Sequence, residues 1–544
     1  MTLTGQMMDQ PLSISALIEY AEKYHGDTEI VSRRTEGDIH RYTYADAAVR
    51  SRQLASALQK NGVEPGTRLA TLAWNGYRHL EIYYAVSGIG AICHTVNPRL
   101  FPEQIGWILN HAEDSHIFVD LTFLPLIEAV YASLTAKPTV VVLTDRAHMP
   151  DSSLDLVCYE ELLAQGDSSG FEWPVLDEQT ASSLCYTSGT TGNPKGVLYS
   201  HRSTVLHAWA SCMPDVLNLS ATDVILPVVP MFHVNAWGLP YAAAMVGAKL
   251  VFPGAGLDGP NLCELFSNEG VTLTAGVPTV WLAVLNYLAE TGGNLGVLNR
   301  TVIGGSACPP SMIDALQDKY GVRVIHAWGM TEMSPIGTIG APKARHVAND
   351  SFRPLQEKQG RPPYGVDMKI VDADGRDLPW DGKAYGDLWV RGPWICSGYY
   401  KPEKPDPHEN GWFPTGDVAT IDADGYMQIV DRSKDVVKSG GEWISSIELE
   451  NIAMAHPAVA EAACIAARHE KWDERPLLIV IRKPGAVVDE AELLSHFEGK
   501  IAKWWLPDAV LFVDEIPHTA TGKVQKLKLR ERYGDYLITS QVTV

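Results

Sequence analysis

The sequence lacks the cysteine and histidine patterns that mark several classes of enzyme. Its eight cysteines are widely spread, and the closest spacing, from Cys158 to Cys185, is 27 residues, so no Cys-x-x-Cys pair is present. A His-Glu-x-x-His zinc motif is absent, and Gly304-Gly-Ser-Ala-Cys308 lacks the last glycine of the Gly-x-Ser-x-Gly elbow of serine hydrolases. We therefore expect reduced, mostly buried thiols and neither of these two hydrolytic chemistries.

Positive charge is also scarce. Lys and Arg total 44 against 65 Asp and Glu, which gives a formal net charge of −21 over 544 residues. A surface of that sign repels a phosphate backbone, so nucleic acid is excluded as a partner. The first ten residues lack a basic segment followed by an apolar run, so we expect no secretory signal and a cytoplasmic protein.

Long apolar runs are limited to one segment. Val224–Ala248 carries no charged residue and is long enough to cross a bilayer. It contains three prolines together with His233 and Asn235, however, and these would leave backbone groups without partners in lipid. We expect buried core or the lining of a site there, and no membrane span.

What is present is the composition of a large globular protein. Apolar residues make up 46% and charged residues 20%, and a chain of this length predicts several modules. Short β-rich runs such as Arg68–Trp74 and Val271–Thr274 alternate with amphipathic stretches such as Tyr77–Gly88. This alternation predicts parallel sheets covered by helices.

The pattern changes at about Gly365. Asp-Gly turns at Asp374-Gly375 and Asp424-Gly425 separate strand-like runs, which predicts a small antiparallel or barrel-like unit. After Arg432 the sequence predicts a further α/β segment with helices over 446–455 and 490–504, followed by a basic run, 523–532. That run is either a solvated helix face or a holder for an anionic ligand.

The most informative motif is glycine-rich. Tyr186-Thr-Ser-Gly-Thr-Thr-Gly-Asn-Pro-Lys-Gly196 follows a strand-like segment and combines three glycines, four hydroxyl side chains and Lys195. Backbone N–H groups, hydroxyls and a cation together suit phosphate groups. The motif differs from a Walker loop, because Gly196 follows the lysine where that loop has Ser or Thr.

Nine segments occur in an order that resembles the adenylate-forming acyl-CoA synthetase superfamily over nearly the whole chain. They are Tyr186–Gly196, Pro230–His233, Gly304–Ala307, Trp328–Glu332, Tyr385–Leu388, Trp412–Asp417, Asp431–Asp435, Ser439–Ser445 and Thr519–Lys523. Within the superfamily the sequence is similar to fatty-acyl-CoA ligases and, more closely, to 3-methylmercaptopropionyl-CoA ligases.

The resemblance implies an α/β fold with two parts. Residues 1–433 would form a large adenylation domain of two parallel α/β subdomains and a small β-barrel-like one, and residues 434–544 a small, mobile α+β cap. It also implies a two-step reaction with ATP, Mg²⁺ and CoA. A carboxylate attacks the α-phosphate of ATP to give acyl-AMP and pyrophosphate, and the CoA thiol then displaces AMP.

The resemblance also implies roles for individual residues. Catalysis would involve Thr187, His233, Glu332 and Lys523, with Thr187 and Glu332 binding Mg²⁺. The ATP or AMP site would comprise Thr187, Ser188, Gly189, Thr190, Thr191, Lys195, Gly304, Gly305, Ser306, Ala307, His326, Ala327, Trp328, Gly329, Met330, Thr331, Asp417, Ile429, Arg432, Lys434 and Lys523. In this set Asp417 would accept the ribose hydroxyls, and Trp328 stands where the family more often has tyrosine.

The resemblance places the second half-reaction in the cap. Lys434 would be the hinge about which the cap rotates. The CoA path would be formed by Lys438, Ser439, Gly440, Gly441 and Trp443, and the basic run 523–532 could help to hold the phosphates of CoA.

The acyl pocket would include His233, Trp237, Gly305, Gly329 and Ser334, with Trp237 either a gate or ordinary core. We expect short- and medium-chain acids, with 3-methylmercaptopropionate the best candidate. Medium- or long-chain fatty acids, or delivery of the acyl group to a carrier protein, are the alternatives. Related long-chain enzymes are homodimers, which favours a homodimer here.

Overall fold

The computed structural model describes residue 3 and residues 5–187, 193–440, 442–518 and 524–541. The chain folds into two compact units. The first comprises the described residues of Met1–Gly189, Asn193–Asp367 and Gly392–Pro407, and the second those of Met368–Arg391 and His408–Val544. The predicted boundary between residues 433 and 434 stays a prediction.

The strands up to residue 339 belong to two large sheets. They are β1 (Glu29–Arg33), β2 (Ile39–Thr43), β3 (Arg68–Leu72), β4 (Ile92–Thr95), β5 (His116–Val119), β6 (Thr139–Val142), β7 (Leu156–Cys158), β8 (Ala181–Tyr186), β9 (Gly196–Ser200), β10 (Val224–Pro227), β11 (Lys249–Phe252), β12 (Leu273–Gly276), β13 (Arg300–Ile303), β14 (Arg323–Gly329) and β15 (Ile336–Ile339).

The later strands form two smaller sheets. They are β16 (Asp367–Val371), β17 (Tyr385–Arg391), β18 (Phe413–Ile421), β19 (Met427–Arg432), β20 (Val437–Ser439), β21 (Glu442–Ile444), β22 (Val459–His469), β23 (Asp473–Arg482) and β24 (Ala509–Phe512).

Helices alternate with these strands. They are α1 (Ile14–His25), α2 (Tyr44–Lys60), α3 (Tyr77–Gly88), α4 (Pro102–Ala112), α5 (Leu124–Tyr131), α6 (Tyr159–Leu163), α7 (His201–Cys212), α8 (Val234–Trp237), α9 (Leu239–Val246), α10 (Gly259–Glu269), α11 (Pro278–Thr291), α12 (Pro310–Asp314), α13 (Ala344–Ala348), α14 (Ser446–Met454), α15 (Glu490–Ser495), α16 (Lys526–Tyr533) and α17 (Tyr536–Gln541).

The first unit contains two sheets that are parallel except at their edges. The eight-stranded sheet has the order β15-β14-β13-β12-β10-β11-β1-β2, with β2 and β15 antiparallel to their neighbours. The seven-stranded sheet has the order β7-β6-β5-β3-β4-β8-β9, and only β9 pairs antiparallel there. The two parallel α/β subdomains expected from the sequence are confirmed.

The core of the first unit is formed by helices together with both sheets. Side chains of α1, α2, α3, α7 and α9 join one buried cluster, in which Ile18, Leu54, Tyr83, Ala208 and Tyr241 are fully or almost fully buried. Helix α3 is buried along its whole length, as expected for a helix with apolar neighbours on every side. This shared core fixes the edges of the two sheets that carry the motifs.

The second unit contains a four-stranded sheet, β16-β17-β18-β19, and a five-stranded sheet. The antiparallel unit expected after Gly365 is therefore present as the first of these, which we call the small sheet. Its Asp-Gly sites are turns: Asp372 and Asp422 each accept backbone N–H bonds from residues two and four positions later. In the five-stranded sheet β22 and β23 pair antiparallel, and β24 joins β23 in parallel.

Two sequence-based boundaries are wrong. The helix expected over 490–504 ends at Ser495, because the chain turns back and Gly499 adopts a φ of +73° that a continuing helix cannot contain. The strand expected at Val271–Thr274 covers Leu273–Gly276 instead, since its register is set by pairing with β10 and β13.

The apolar segment and the cysteines can also be located in the structure. No helix in the described ranges is long and apolar enough to cross a membrane, and Val224–Ala248 forms a strand and two short helices of the first unit. All eight cysteines fall in the described part of the chain and are free thiols, six of them buried.

Candidate functional site

The glycine-rich motif begins where strand β8 ends. Thr187 and Lys195 close the two ends of the loop against each other: the Thr187 N–H donates to the Lys195 carbonyl at 2.9 Å, and the Lys195 N–H donates to Thr187 Oγ1 at 3.1 Å. Strands β8 and β9 pair antiparallel on either side of the loop. The hairpin therefore fixes the position of both residues at the edge of the seven-stranded sheet.

A tyrosine connects this loop to the predicted metal ligand. The Tyr399 hydroxyl donates to Glu332 Oε1 at 2.7 Å, and the Lys195 ammonium lies 4.6 Å from the centre of the Tyr399 ring. Glu332 is only 6% exposed. Burial, with the neighbouring Glu332 carboxylate, raises the pKa of Tyr399, so it stays a neutral hydrogen-bond donor. The contacts bring Lys195 and Glu332 to the same ring.

Backbone contacts hold the segment of Thr331 and Glu332 in place. The Tyr199 hydroxyl, on β9, donates to the Thr331 carbonyl at 2.5 Å, and the Cys396 N–H donates to the Glu332 carbonyl at 2.8 Å. Both residues are buried in a short 3₁₀ turn after β14. The carboxylate is thus presented from a rigid segment, as a binding site requires.

The other motifs of the first unit follow the carboxyl ends of three strands of the eight-stranded sheet, β10, β13 and β14. His233 and Trp237 follow β10, Gly304 follows β13, and Trp328 ends β14. In a parallel α/β sheet these ends share one edge, where ligands bind. A Cβ on Gly304 would come within 2.9 Å of the Ala327 carbonyl and 3.2 Å of the Trp237 ring. The proposed adenine segment and the proposed acyl segment therefore touch at this glycine.

The acyl segment has a strained backbone. Val234, Asn235, Ala236 and Trp237 all have φ between 48° and 56°, a left-handed region that costs most residues about 1–2 kcal/mol each. Buried polar groups hold this turn: Tyr83 donates its hydroxyl to the Met231 carbonyl, and the Asn235 amide donates to Ser183 Oγ at 3.2 Å. Non-glycine strain of this kind concentrates at functional sites.

Two predicted residues direct their side chains into the protein. His326 Nε2 accepts from the Cys308 N–H and its Nδ1 donates to the Gln356 carbonyl, while burial lowers its pKa to about 4. Ser334 donates its hydroxyl to the Trp394 carbonyl at 2.9 Å. Any contact of these residues with a ligand at this edge would use their backbone. The predicted residues Gly305, Ser306, Ala307, Gly329 and Met330 lie at the same ends of β13 and β14.

The second unit carries the predicted ribose site. Asp417, on β18, is 3% exposed and stands opposite Arg432 of β19, with Arg432 Nε 2.9 Å from Asp417 Oδ1. Ile429, on the same strand as Arg432, pairs with Ala419. These two charged residues, both assigned to the nucleotide site from the sequence, are therefore neighbours across one strand pair.

The predicted hinge residue and the predicted CoA residues come shortly after Arg432 in the sequence. The Lys434 carbonyl accepts from Arg530 at 2.7 Å, and burial together with the Arg432 and Arg530 cations lowers the pKa of Lys434. Lys438 and Trp443 stand opposite each other on β20 and β21, with the ammonium 5.4 Å from the indole.

The rest of this hairpin has partners inside the second unit. Ser439 Oγ accepts from Arg475 at 3.2 Å. Gly440 has a φ of +58°, and a Cβ there would come within 3.0 Å of the Trp472 ring. The glycine is thus required by its backbone angle as well as by close packing.

Six predicted residues lie outside the described part of the chain. They are Ser188, Gly189, Thr190, Thr191, Gly441 and Lys523. Their roles stay predictions from the sequence.

The basic run after residue 523 is paired internally at two positions. Lys526 lies 2.7 Å from Glu450, and Arg530 lies 2.7 Å from Asp435. Lys528 and Arg532 are exposed. The run is therefore neither a wholly solvated face nor a patch wholly open to an anion.

The sequence carries no sign of a role for Tyr399 and Tyr199, and it places Asn235 in a buried segment without a specific role. Tyr399 lies in an unremarkable Gly-Tyr-Tyr-Lys segment far from Glu332 in sequence, and Tyr199 is one apolar-face residue of a strand. Only the fold brings them to the motif residues. Asn235, inside an otherwise apolar run, was the one available signal, because a lone amide in a buried segment needs partners.

A glycine-rich motif, the buried Glu332 and a parallel sheet with motif residues at its carboxyl edge suit an adenylate-forming enzyme. The chain belongs to the AMP-binding enzyme family, which matches residues 17–400, and the AMP-binding enzyme C-terminal domain matches residues 448–523. It is an acyl-CoA ligase of that family.

Curated relatives match the chain along its whole length. A 3-methylmercaptopropionyl-CoA ligase of Ruegeria lacuscaerulensis is 56% identical over 98% of this chain and all of its own. A medium-chain-fatty-acid–CoA ligase of Ectopseudomonas oleovorans is 54% identical over all of both chains. The crystal structure of the anthranilate CoA ligase AuaEII in complex with anthranoyl-AMP has a TM-score of 0.84 at 26% identity, covering 96% of this chain and 98% of that one.

Proposed function

We propose that this protein is an AMP-forming carboxylate–CoA ligase whose substrates are short- and medium-chain acids, including 3-methylmercaptopropionate. The observation that carries the proposal is the Lys195–Tyr399–Glu332 arrangement beside the glycine-rich loop. A cation and a carboxylate at one phosphate-type loop suit a metal-bound nucleotide, and no protein nucleophile is needed for transfer to a carboxylate.

In the first half-reaction a carboxylate oxygen of the acid attacks the α-phosphorus of ATP, and pyrophosphate leaves. Thr187, Lys195 and the loop 188–191 bind the β- and γ-phosphates, and Thr331 lies near the α-phosphate. Asp417 accepts the ribose hydroxyls with Arg432 beside it. The adenine lies against Gly304–Ala307 and Trp328. Lys523 bridges the carboxylate and the α-phosphate, which offsets negative charge in the transition state.

The donor set fits Mg²⁺ carried by ATP. Glu332 is a buried carboxylate that accepts a hydrogen bond from the Tyr399 hydroxyl. No group of three or more His, Cys, Asp and Glu residues that could hold a metal ion occurs in the described ranges. Mg²⁺ commonly takes one or two carboxylates and completes its shell with water and substrate phosphates. Glu332 and Thr187 would hold it, and the ion would neutralise phosphate charge.

In the second half-reaction the CoA sulfur attacks the acyl carbon, the thiol loses its proton and AMP leaves. The cap, residues 434–544, rotates about Lys434 between the two steps. Lys438, Ser439, Gly440, Gly441 and Trp443 then line the pantetheine path. In support, this hairpin directly follows the proposed hinge in sequence, and Gly440 is packed tightly against Trp472.

The acid is proposed from the relatives and from the segment that borders the pocket. His233, Trp237, Gly305, Gly329 and Ser334 lie at the carboxyl edge of the eight-stranded sheet, where Trp237 is partly buried. Apolar surroundings select an uncharged tail. They separate acids that differ by one methylene by only about 1–3 kcal/mol, so neighbouring chain lengths compete.

The test is pyrophosphate release with ATP and Mg²⁺, in the presence and absence of CoA, over straight-chain acids from propionate to palmitate and 3-methylmercaptopropionate. We expect CoA-dependent turnover with the highest kcat/KM below decanoate. Activity confined to decanoate and longer acids would contradict the proposed acid class. AMP release with no thioester in the presence of CoA would contradict the ligase.

Lys523 is tested by separating the half-reactions. Lys523→Ala should reduce exchange of pyrophosphate into ATP by at least a hundredfold and should change thioester formation from supplied acyl-AMP much less. Lys483→Ala, an exposed lysine of the same domain, is the control and should keep both rates. Wild-type exchange in Lys523→Ala would show that another group supplies the charge.

A homodimer in the cytoplasm completes the proposal. The free thiol state of all eight cysteines suits a reducing compartment, and related long-chain enzymes are dimers. Sedimentation at micromolar concentration should give a species of about twice 59.5 kDa; a species of one chain mass contradicts the dimer.

A further inference from the structure

A lysine and two carboxylates form a cluster with little exposure to solvent in the second unit. Lys526 Nζ lies 2.7 Å from Glu450 Oε1 and 2.5 Å from Ser446 Oγ. The Ser446 N–H donates to Asp431 Oδ2 at 2.7 Å, and the Glu450 Oε1 also accepts the Cys464 N–H. Burial opposes the charge of Lys526, yet Glu450 and Asp431 raise its pKa, so it stays cationic.

The cluster is unusual in its chemistry. Lys526 is the first residue of helix α16, where the helix dipole disfavours a cation. Interaction with the helix dipole therefore does not explain the lysine. Asp431 lies instead at the N-terminus of α14, a favourable place for an anion. The two carboxylates compensate for the position of the lysine.

The members of the cluster lie on both sides of the proposed hinge in the sequence. Ser446, Glu450 and Lys526 follow the proposed hinge at Lys434 and belong to the cap, whereas Asp431 precedes the hinge on β19 of the small sheet. The Ser445 hydroxyl also crosses the hinge and donates to the Val430 carbonyl at 2.5 Å. A rotation of the cap about Lys434 must break these contacts of Asp431 and Val430. It leaves the contact between Lys526 and Glu450 unchanged.

We propose that Asp431 is a positioning residue that latches the cap to the small sheet through Ser446 and Lys526, while Glu450 allows the latch to open. When the cap moves away from Asp431, Glu450 keeps Lys526 paired. Opening therefore does not leave a buried charge without a partner. The two carboxylates thus have opposite effects on the balance between the two half-reactions. The role of Asp431 rests on the proposed hinge.

The test compares two isosteric variants. Asp431→Asn removes the charge that crosses the hinge and should favour release of the cap. Glu450→Gln leaves Lys526 dependent on Asp431 and should favour the latched cap. We expect the ratio of pyrophosphate exchange to thioester formation from acyl-AMP to move in opposite directions, by about tenfold each, as for loss of one charged hydrogen bond.

Hydrogen exchange of the Ser446 amide supplies a readout that does not need turnover. It should be faster in Asp431→Asn and slower in Glu450→Gln than in the wild type. Arg468→Met, which breaks the exposed Arg468–Asp535 ion pair of the same unit, is the control and should leave both readouts unchanged. If exchange at Ser446 follows the expected order and no ligation occurs, the latch stands and the proposed activity fails.

A double-mutant cycle covers the case in which one variant unfolds. In Lys526→Met the cluster has no cation, so adding Asp431→Asn should change Ser446 exchange at least threefold less than it does in the wild type. Changes of the same sign in Asp431→Asn and Glu450→Gln, or an undiminished effect of Asp431→Asn in Lys526→Met, would overturn the latch.

Discussion

A single hydroxyl joins the charged groups of the proposed nucleotide site. Tyr399 donates to the Glu332 carboxylate while its ring faces Lys195. Residues that hydrogen-bond to a metal ligand orient it, and their loss commonly costs ten- to a hundredfold in metal affinity or activity. With the proposed role of Glu332 as a Mg²⁺ ligand, Tyr399 would act on the metal through this carboxylate.

Removal of this hydroxyl tests its role. Tyr399→Phe keeps the ring beside Lys195 and should lower adenylation about tenfold, with an increase in the Mg²⁺ concentration needed for half-maximal rate. Pyrophosphate exchange over a Mg²⁺ series measures both. Tyr131→Phe is the matched control, because its hydroxyl donates to the Pro138 carbonyl near the end of α5. An unchanged Mg²⁺ dependence in Tyr399→Phe would remove Tyr399 from the site.

At the scale of elements, the left-handed turn before Trp237 gives a second prediction. Ala236 has a φ of 50°, where glycine is more stable than alanine. Ala236→Gly loses a buried methyl group but relieves strain, so the two effects nearly cancel. Ala242→Gly, at an equally buried position inside α9, loses the methyl group and also destabilises the helix.

Thermal unfolding of the two variants measures the difference. Ala242→Gly should be less stable than Ala236→Gly by about 2–3 kcal/mol, the sum of the strain relieved at 236 and the helix propensity lost at 242. Equal shifts in melting temperature would mean that the turn at 234–237 is not strained. Because the turn carries Trp237, the acid panel should also shift in Ala236→Gly and stay as in the wild type in Ala242→Gly.

The elements that could be predicted are those with local signals. Helix α3 matches its predicted range, and helix α14 agrees with its predicted range to within one residue, because the signals for both helices lie within their own segments. The end of α15, the turn at 234–237 and the contact of Tyr399 with Glu332 depend on tertiary packing. No sequence pattern within those segments indicates this packing.

The residues of the candidate site also divide into those that sequence motifs locate and those that only the fold brings to the site. Thr187, Lys195, Glu332 and Asp417 belong to motifs, so the resemblance located them. The structure adds their partners: Tyr399 for Glu332, Arg432 for Asp417, and Glu450 for Lys526. The internal pairing of Lys526 could not be read from a basic run, because its carboxylates come from residues 431 and 450.

At the scale of the whole molecule, several buried histidines are held neutral. Burial lowers the pKa of His207 to about 3, and those of His79 and His326 to about 4, from an ordinary value of 6.5. Asp120 has the opposite effect over part of the same range, because burial raises its pKa to about 7. Each of these histidines lowers stability as the pH falls below 6.5, because the unfolded chain takes up a proton there that the folded chain does not.

His207 provides the cleanest test of this acid sensitivity. Its Nε2 accepts the Ile336 N–H, so the ring must be neutral in the folded state, whereas the unfolded chain takes up a proton below pH 6.5. Stability therefore falls as the pH decreases from 6.5 towards 3, by about 1.4 kcal/mol per unit, or about 2 kcal/mol at pH 5. His207→Gln keeps an acceptor for Ile336 and has no proton to gain. The drop in melting temperature from about pH 7 to about pH 5 should be smaller in His207→Gln than in the wild type, and equal drops would show that His207 is protonated in the folded protein.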